Sequence, residues 1–114
     1  MNTLITGTSQ GIGKALAELF LANGHVVIGI DRQCASISHK NYTHYQLDIR
    51  DYEHLPDLSP IQILINNAGT QNENDIDTNL KALIHITEKY GVQPQIHSIL
   101  HIGSASAHTG SEFP

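Results

Sequence analysis

Apolar and polar positions along this chain fall into two alternating kinds of run. Apolar-rich stretches stand at Asn2–Thr6, His25–Asp31 and Ile61–Gly69, and Gln95–Ser104, more mixed, reads as the last strand in chain order. Short runs without polar alternation predict strands buried on both faces. A fifth stretch, "NYTHYQLD" (Asn41–Asp48), is rich in β-formers and predicts the third strand in chain order. Between strands the period changes. "IGKALAELFLANG" sets Ile12, Ala15, Leu16, Leu19 and Phe20 on one helical face, with Gly24 as C-terminal cap. Asp75–Gly91 repeats the pattern with Leu80, Leu83, Ile84 and Thr87, and Gly91 stops it. Asp51–Pro60 contains two prolines and has room for little more than one helical turn. Buried strands separated by helices imply a parallel sheet covered on both faces, a three-layer α/β/α arrangement. Right-handed crossovers then give a doubly wound sheet of order 3-2-1-4-5, with a ligand crevice between strands 1 and 4.

Composition narrows the class. The 114 residues predict one domain, spanning 1–114. A formal net charge of -5 with only six Lys and Arg disfavours nucleic acid and anionic membranes as partners. No apolar run reaches the length of a membrane span, and no charged-then-apolar leader precedes the first strand. The single cysteine, Cys34, has no internal partner, which fits a reducing, cytoplasmic compartment; we read it as unreactive. Eight histidines raise the question of a metal. His97 and His101 share a strand face at wide separation, and the others show no ligand spacing with cysteine or paired carboxylates. No metal site is expected, and no G-x-S-x-G elbow supports a hydrolase.

The informative stretch is "TGTSQGIG" (Thr6–Gly13), between the first strand and the first helix. A pyrophosphate can approach backbone N–H groups at such a turn only if side chains are out of the way, and the helix N-terminus adds favourable partial charge. Gly7 would make the tight turn, while Gly11 and Gly13 would allow close approach and helix–strand packing. Asp31 ends the second strand eighteen positions after Gly13. A carboxylate there can accept hydrogen bonds from both hydroxyls of an adenosine ribose and would repel a 2′-phosphate. Gln10 offers such a phosphate no positive charge, whereas Arg32 does. The balance favours NAD and leaves NADP open.

Thr6-Gly7-x-x-x-Gly11-Ile12-Gly13, followed by "NNAG" (Asn66–Gly69), closely resembles the short-chain dehydrogenase/reductase family. "LDIRD" resembles the family's segment after strand 3, "DTNLKALIHIT" its fourth-helix segment, and "ILHIGSASAHTG" its fifth strand and following loop. The resemblance covers essentially the whole chain and implies a Rossmann-like fold that transfers hydride between nicotinamide and a small alcohol or carbonyl substrate. It implies a cofactor held by Gly7, Ser9, Gln10, Gly11, Ile12, Gly13, Asp31, Arg32, Asp48, Ile49, Asn67, Ala68 and Gly69. Asp48 would approach the adenine ring, with Ile49 beside it. It also implies catalytic roles for Ser104, orienting the substrate oxygen, and Asn79, holding a water that links the family's lysine to solvent. Gly103 stands where the family has the first of two serines.

One part of the pattern is not found. The family's acid/base tyrosine and its lysine form Tyr-x-x-x-Lys, about one helical turn apart. The tyrosines here are Tyr42, Tyr45, Tyr52 and Tyr90, and four residues on stand Gln46, Ile49, Pro56 and Pro94. The sequence ends ten residues after Ser104, before the family's tyrosine. The expectation is a cofactor-binding N-terminal part, inactive by itself, of an oxidoreductase that is a homo-oligomer when full length. The segments between Asp48 and Asn66 and between Gly69 and Asn79 are short for the family. The alternative is a non-catalytic dinucleotide-binding or dimerising module; an epimerase, with Gly-x-x-Gly-x-x-Gly, fits less well.

Overall fold

The computed structural model describes residues 1–58, 60–67 and 76–102, and for 76–79 the backbone alone. Five parallel strands form one sheet: β1 (Asn2–Thr6), β2 (Val26–Asp31), β3 (Tyr42–Gln46), β4 (Ile63–Asn66) and β5 (Ser98–His101). Their order is β3-β2-β1-β4-β5, as the alternation of runs predicts. Among the described residues two α-helices accompany them, α1 (Gly11–Ala22) and α2 (Ile76–Tyr90). A single 3-10 turn at Tyr52–His54 is the only helical structure of the 51–58 segment.

The strands read as continuously apolar because each central one feeds two cores. Leu4, Ile28, Ile30 and Leu64 pack with Ala82, Ile86 and Tyr90 on the α2 side. Their neighbours Ile5, Val27 and Ile65 pack with Ala17 and Leu21 on the α1 side. Successive side chains of a strand point to opposite faces, so a sheet covered on both sides needs apolar residues at every position. β3 is an edge strand, only half-buried, and keeps polar residues such as Thr43, His44 and Gln46. The strands are shorter than the apolar runs suggest. β2 begins at Val26, because the His25 N–H donates to Phe20 O at the end of α1.

Both helices turn a different face inward from the one the apolar spacing predicts. α1 buries Gly13, Ala17 and Leu21, with Leu16 and Phe20 half-buried. Ile12 and Leu19 are 59% and 56% exposed, and Ala15 is exposed too. The cause is the contact at Gly13: a methyl group there would overlap the Gly7 carbonyl and the Asn67 amide. The helix lies so close to the end of β1 that small residues must face the sheet. In α2 the inward residues are Ala82, Ile86 and Tyr90, four apart, with Leu83 and Thr87 at the flank. Leu80 and Ile84 are exposed. The Tyr90 hydroxyl donates to Pro56 O at 2.5 Å, and the Tyr52 ring stacks on His85 with centroids 3.7 Å apart. These contacts with the 51–58 segment set the rotation of α2.

Candidate functional site

The C-terminal ends of β1 and β4 lie side by side at the point where the strand order reverses, the usual place for a ligand crevice in an open α/β sheet. The glycine stretch forms its floor. Gly7 leaves β1 with φ 79°, and its N–H donates to Ile30 O at 2.7 Å. Gly11 has φ 65°, a conformation that disfavours any residue with a Cβ. The two later glycines do different jobs. Gly13 is needed for space, against Gly7 and Asn67. Gly11 is needed for its φ, and a methyl group there would meet nothing within 4 Å among the described atoms. The turn therefore combines a tight helix–strand junction with an open face.

Asn67, directly after β4, secures this turn from the other half of the sheet. Its N–H donates to Thr6 Oγ1 at 2.9 Å and its side-chain amide to Gly7 O at 3.2 Å. α1 begins without a side-chain cap, since Gln10 is extended and makes no capping bond. No acidic side chain occupies the first turn either. Among the described residues, no side chain caps the first N–H groups of the helix, where the helix dipole places partial positive charge.

Asp31 reaches the turn from the end of β2. Its carboxylate is nearly buried and accepts from Ser9 N–H at 2.9 Å and from Gln33 N–H at 2.8 Å. Two amides leave lone pairs on a carboxylate that can accept about four hydrogen bonds. Ser9 is held further by its hydroxyl, donating to Cys34 O, and by the Ser36 hydroxyl, which donates to Ser9 O. Arg32 follows on the exposed side, where its carbonyl accepts from Gln46 Nε2. Asp48 is held by Arg50, whose Nη2 lies 2.7 Å from Oδ2. The Arg50 hydrogen bonds hold the Asp48 carboxyl below the usual carboxylate range. Ile49 packs in the core on the α2 side. Around the turn, then, stand Ser9, Gln10, Gly11, Ile12, Gly13, Asp31 and Asn67, with Arg32 and Asp48 at the ends of β2 and β3.

Ala68, Gly69 and Ser104 lie outside the described residues, and Asn79 is described only as a backbone position in α2. Among the described residues no group of three His, Cys, Asp or Glu is gathered as a metal would require. No described helix is long and apolar enough to cross a membrane. The pattern of motifs missed a second layer. Thr8, Tyr42 and His44 join the site through hydrogen bonds at 2.6 and 2.7 Å. A signal was available: a glycine at position 29, inside an otherwise bulky strand, marks a place where something must pass.

The short chain dehydrogenase family matches the chain over residues 1–111. The chain belongs to this family. Among curated relatives, the NADP-dependent 3-hydroxy acid dehydrogenase of Salmonella typhi is 29% identical, covering 93% of this chain and 55% of its own length. Benzil reductase of Bacillus subtilis is 37% identical over 78 residues, 58% of this chain and 32% of the relative. The crystal structure of serine dehydrogenase from Escherichia coli superposes with a TM-score of 0.78 at 29% identity, covering 93% of this chain and 63% of that one. The chain thus spans about a third to just over half of the length of these curated relatives. A short-chain dehydrogenase from Leptospira borgpetersenii, solved with bound NAD+, shares the fold with a TM-score of 0.67 at 23% identity. The family binds NAD or NADP, and the fit of this turn to a dinucleotide rests on its own geometry: a close glycine junction, an open face at Gly11 and an uncapped helix end.

Proposed function

We propose that this chain is the dinucleotide-binding part of an NAD(H)-dependent oxidoreductase that interconverts a small alcohol and its carbonyl. The observation that carries the reading is the Asp31 carboxylate, bonded to Ser9 N–H and so fixed against the glycine turn. The turn would receive the pyrophosphate on the N–H groups at the start of α1. Asp31 would accept the ribose hydroxyls with its remaining lone pairs, and its charge would oppose a 2′-phosphate. Arg32 and the NADP-dependence in the name of the Salmonella relative argue the other way. We favour NAD because Asp31 adjoins the turn while Arg32 faces solvent. The remaining assignments, Asp48 and Ile49 at the adenine and Ala68 and Gly69 beside Asn67, complete the proposed site.

Bound nicotinamide would supply the chemistry, taking up or giving the hydride. Ser104 would donate a hydrogen bond to the substrate oxygen and steady its developing charge, and Asn79 would hold a water at the site. None of the four tyrosines has a lysine four residues on, so the 114 residues contain no acid/base pair of the family's kind. By itself the chain is expected to bind dinucleotide and turn over substrate about 10² to 10⁴ more slowly than a protein with that pair. A homo-oligomer is the proposed state of the full-length protein.

Titration with NADH and with NADPH tests the reading, with nicotinamide fluorescence and thermal stability followed together. Tighter binding of NADH is expected, and Asp31→Asn should narrow or reverse the preference. Tighter binding of NADPH by the parent protein would overturn the NAD assignment. No binding by a folded protein would overturn the site.

A further inference from the structure

Behind the glycine turn, on the α1 side of the sheet, runs a set of hydrogen bonds that none of the family motifs describes. Thr8 is fully buried, and its Oγ1 lies 2.6 Å from the Tyr42 hydroxyl. That hydroxyl lies 2.7 Å from His44 Nδ1, and His44 Nε2 lies 2.9 Å from the Gln33 carbonyl. Gln33 N–H donates to Asp31 Oδ1, and Asp31 Oδ2 accepts from Ser9 N–H. Ser9 is covalently next to Thr8, so the bonds close into a ring. Its members are the phosphate turn, two β3 side chains, the backbone after β2 and the carboxylate.

The direction of the Thr8–Tyr42–His44 part of the ring follows from the Gln33 carbonyl at its end. A carbonyl only accepts, so His44 Nε2 carries the hydrogen. A neutral imidazole then presents Nδ1 as an acceptor, and Tyr42 donates to it. The Tyr42 oxygen in turn accepts from the Thr8 hydroxyl. Burial raises the Tyr42 phenol above its ordinary value, with the Asp31 charge adding to the effect, and keeps it a neutral donor. The sheet leaves room for this arrangement at one position. A methyl group on Gly29, in the middle of β2, would overlap both the Tyr42 hydroxyl and the Thr8 hydroxyl. Glycine weakens a strand, and here its missing side chain is the passage through which Thr8 and Tyr42 meet.

The geometry points to Tyr42 and His44 as positioning residues of the dinucleotide site, fixing the phosphate-binding turn and the ribose-binding carboxylate of Asp31 as one unit. This rests on the reading of the turn as a dinucleotide site. Neither side chain touches the ligand; both act through Thr8 and Gln33. A dinucleotide bridges two recognition points, so its affinity depends on their separation being fixed before it arrives.

NADH binding to the intact protein is the test. Tyr42→Phe keeps the aromatic packing and removes the hydroxyl that joins Thr8 to His44, and should weaken NADH by roughly three- to tenfold, the scale of a hydrogen-bond contribution. Thr8→Val should do the same, the double variant should lose no more than either alone, and Thr8→Ser should retain the parent affinity. Should Tyr42→Phe fail to fold, Thr8→Val against Thr8→Ser makes the same comparison. Nitrogen NMR of the parent should find the His44 ring hydrogen on Nε2, with Nδ1 accepting from Tyr42. Unchanged affinity in Tyr42→Phe, additive losses, or the Nδ1–H tautomer would each overturn the inference while leaving the proposed function standing. A parent protein that binds neither NADH nor NADPH would overturn the proposed function, and with it the role given to the ring.

Discussion

At the scale of single residues, the glycine stretch separates two reasons for being glycine, and the two predict different defects. Gly13→Ala places a methyl group against the backbone of Gly7 and the amide of Asn67. Overpacking of this kind costs about 1–3 kcal/mol, and backbone neighbours put this case at the upper end. A lowered urea midpoint is the expected result. Gly11→Ala meets nothing but must hold a left-handed φ, at about 1–2 kcal/mol. Its methyl group projects over the open face, so dinucleotide affinity should fall further than stability does. The pair of variants, measured by denaturation and by titration, tests whether that open face is where the ligand sits. Asp48 carries a pH prediction. Its hydrogen bonds to Arg50 lower its folded-state pKa below the reference 3.8. The stabilisation is therefore present above that reference value and is lost as pH falls through the folded one. Asp48→Asn should be less stable than the parent at neutral pH, and the two should converge in acid. Urea denaturation at both pH values measures it.

At the scale of elements, the sequence and the structure agree on where each helix lies and disagree on how each is turned. Strand existence and order were legible because a sheet covered on both faces demands unbroken apolar runs, and only Leu4, Ile5, Val27, Ile28, Leu64, Ile65 and their like satisfy it. The turn was legible because its glycines have no substitutes. Helix orientation was not, because periodicity seeks the stripe with the largest side chains. In α1, close approach at Gly13 instead selects the stripe that starts with small residues, and in α2 the contacts of Tyr90 and His85 with the 51–58 segment decide. The ring through Tyr42 and His44 was illegible for a different reason: it joins residues 34 positions apart through a strand that alternates like any edge strand. Two substitutions on α1 distinguish the periodicity reading from the packing. Ala17→Leu forces extra volume between helix and sheet and should cost about 1–3 kcal/mol. Leu19→Lys, on the outward face, should change stability by no more than about 0.5 kcal/mol. Periodicity alone ranks them the other way round, and unfolding midpoints decide.

At the scale of the whole molecule, α2, β5 and the segment between them carry most of the large apolar residues exposed among the described ones. Leu80, Ile84, Val92, Ile99 and Leu100 are all exposed, and every residue of β5 is exposed. β5 is also the last strand of the described sheet, and an exposed apolar edge invites pairing with another chain. The 114-residue chain is expected to self-associate at micromolar concentration, and Ile99→Lys with Leu100→Lys should shift it toward monomer in sedimentation. Concentration-independent monomer in the parent chain would remove the argument for an apolar interface on this side. The bond from Asn67 N–H to Thr6 Oγ1 has a consequence in time. It spans 61 positions, so the ligand turn near the start of the chain is clamped only after β4 and its following residue exist. On a ribosome, the glycine stretch emerges before its clamp and waits through the synthesis of three strands and a helix. A dinucleotide would therefore meet a finished turn only on chains that have already joined both halves of their sheet. Ligand capture would thereby report assembly and, by mass action, favour it.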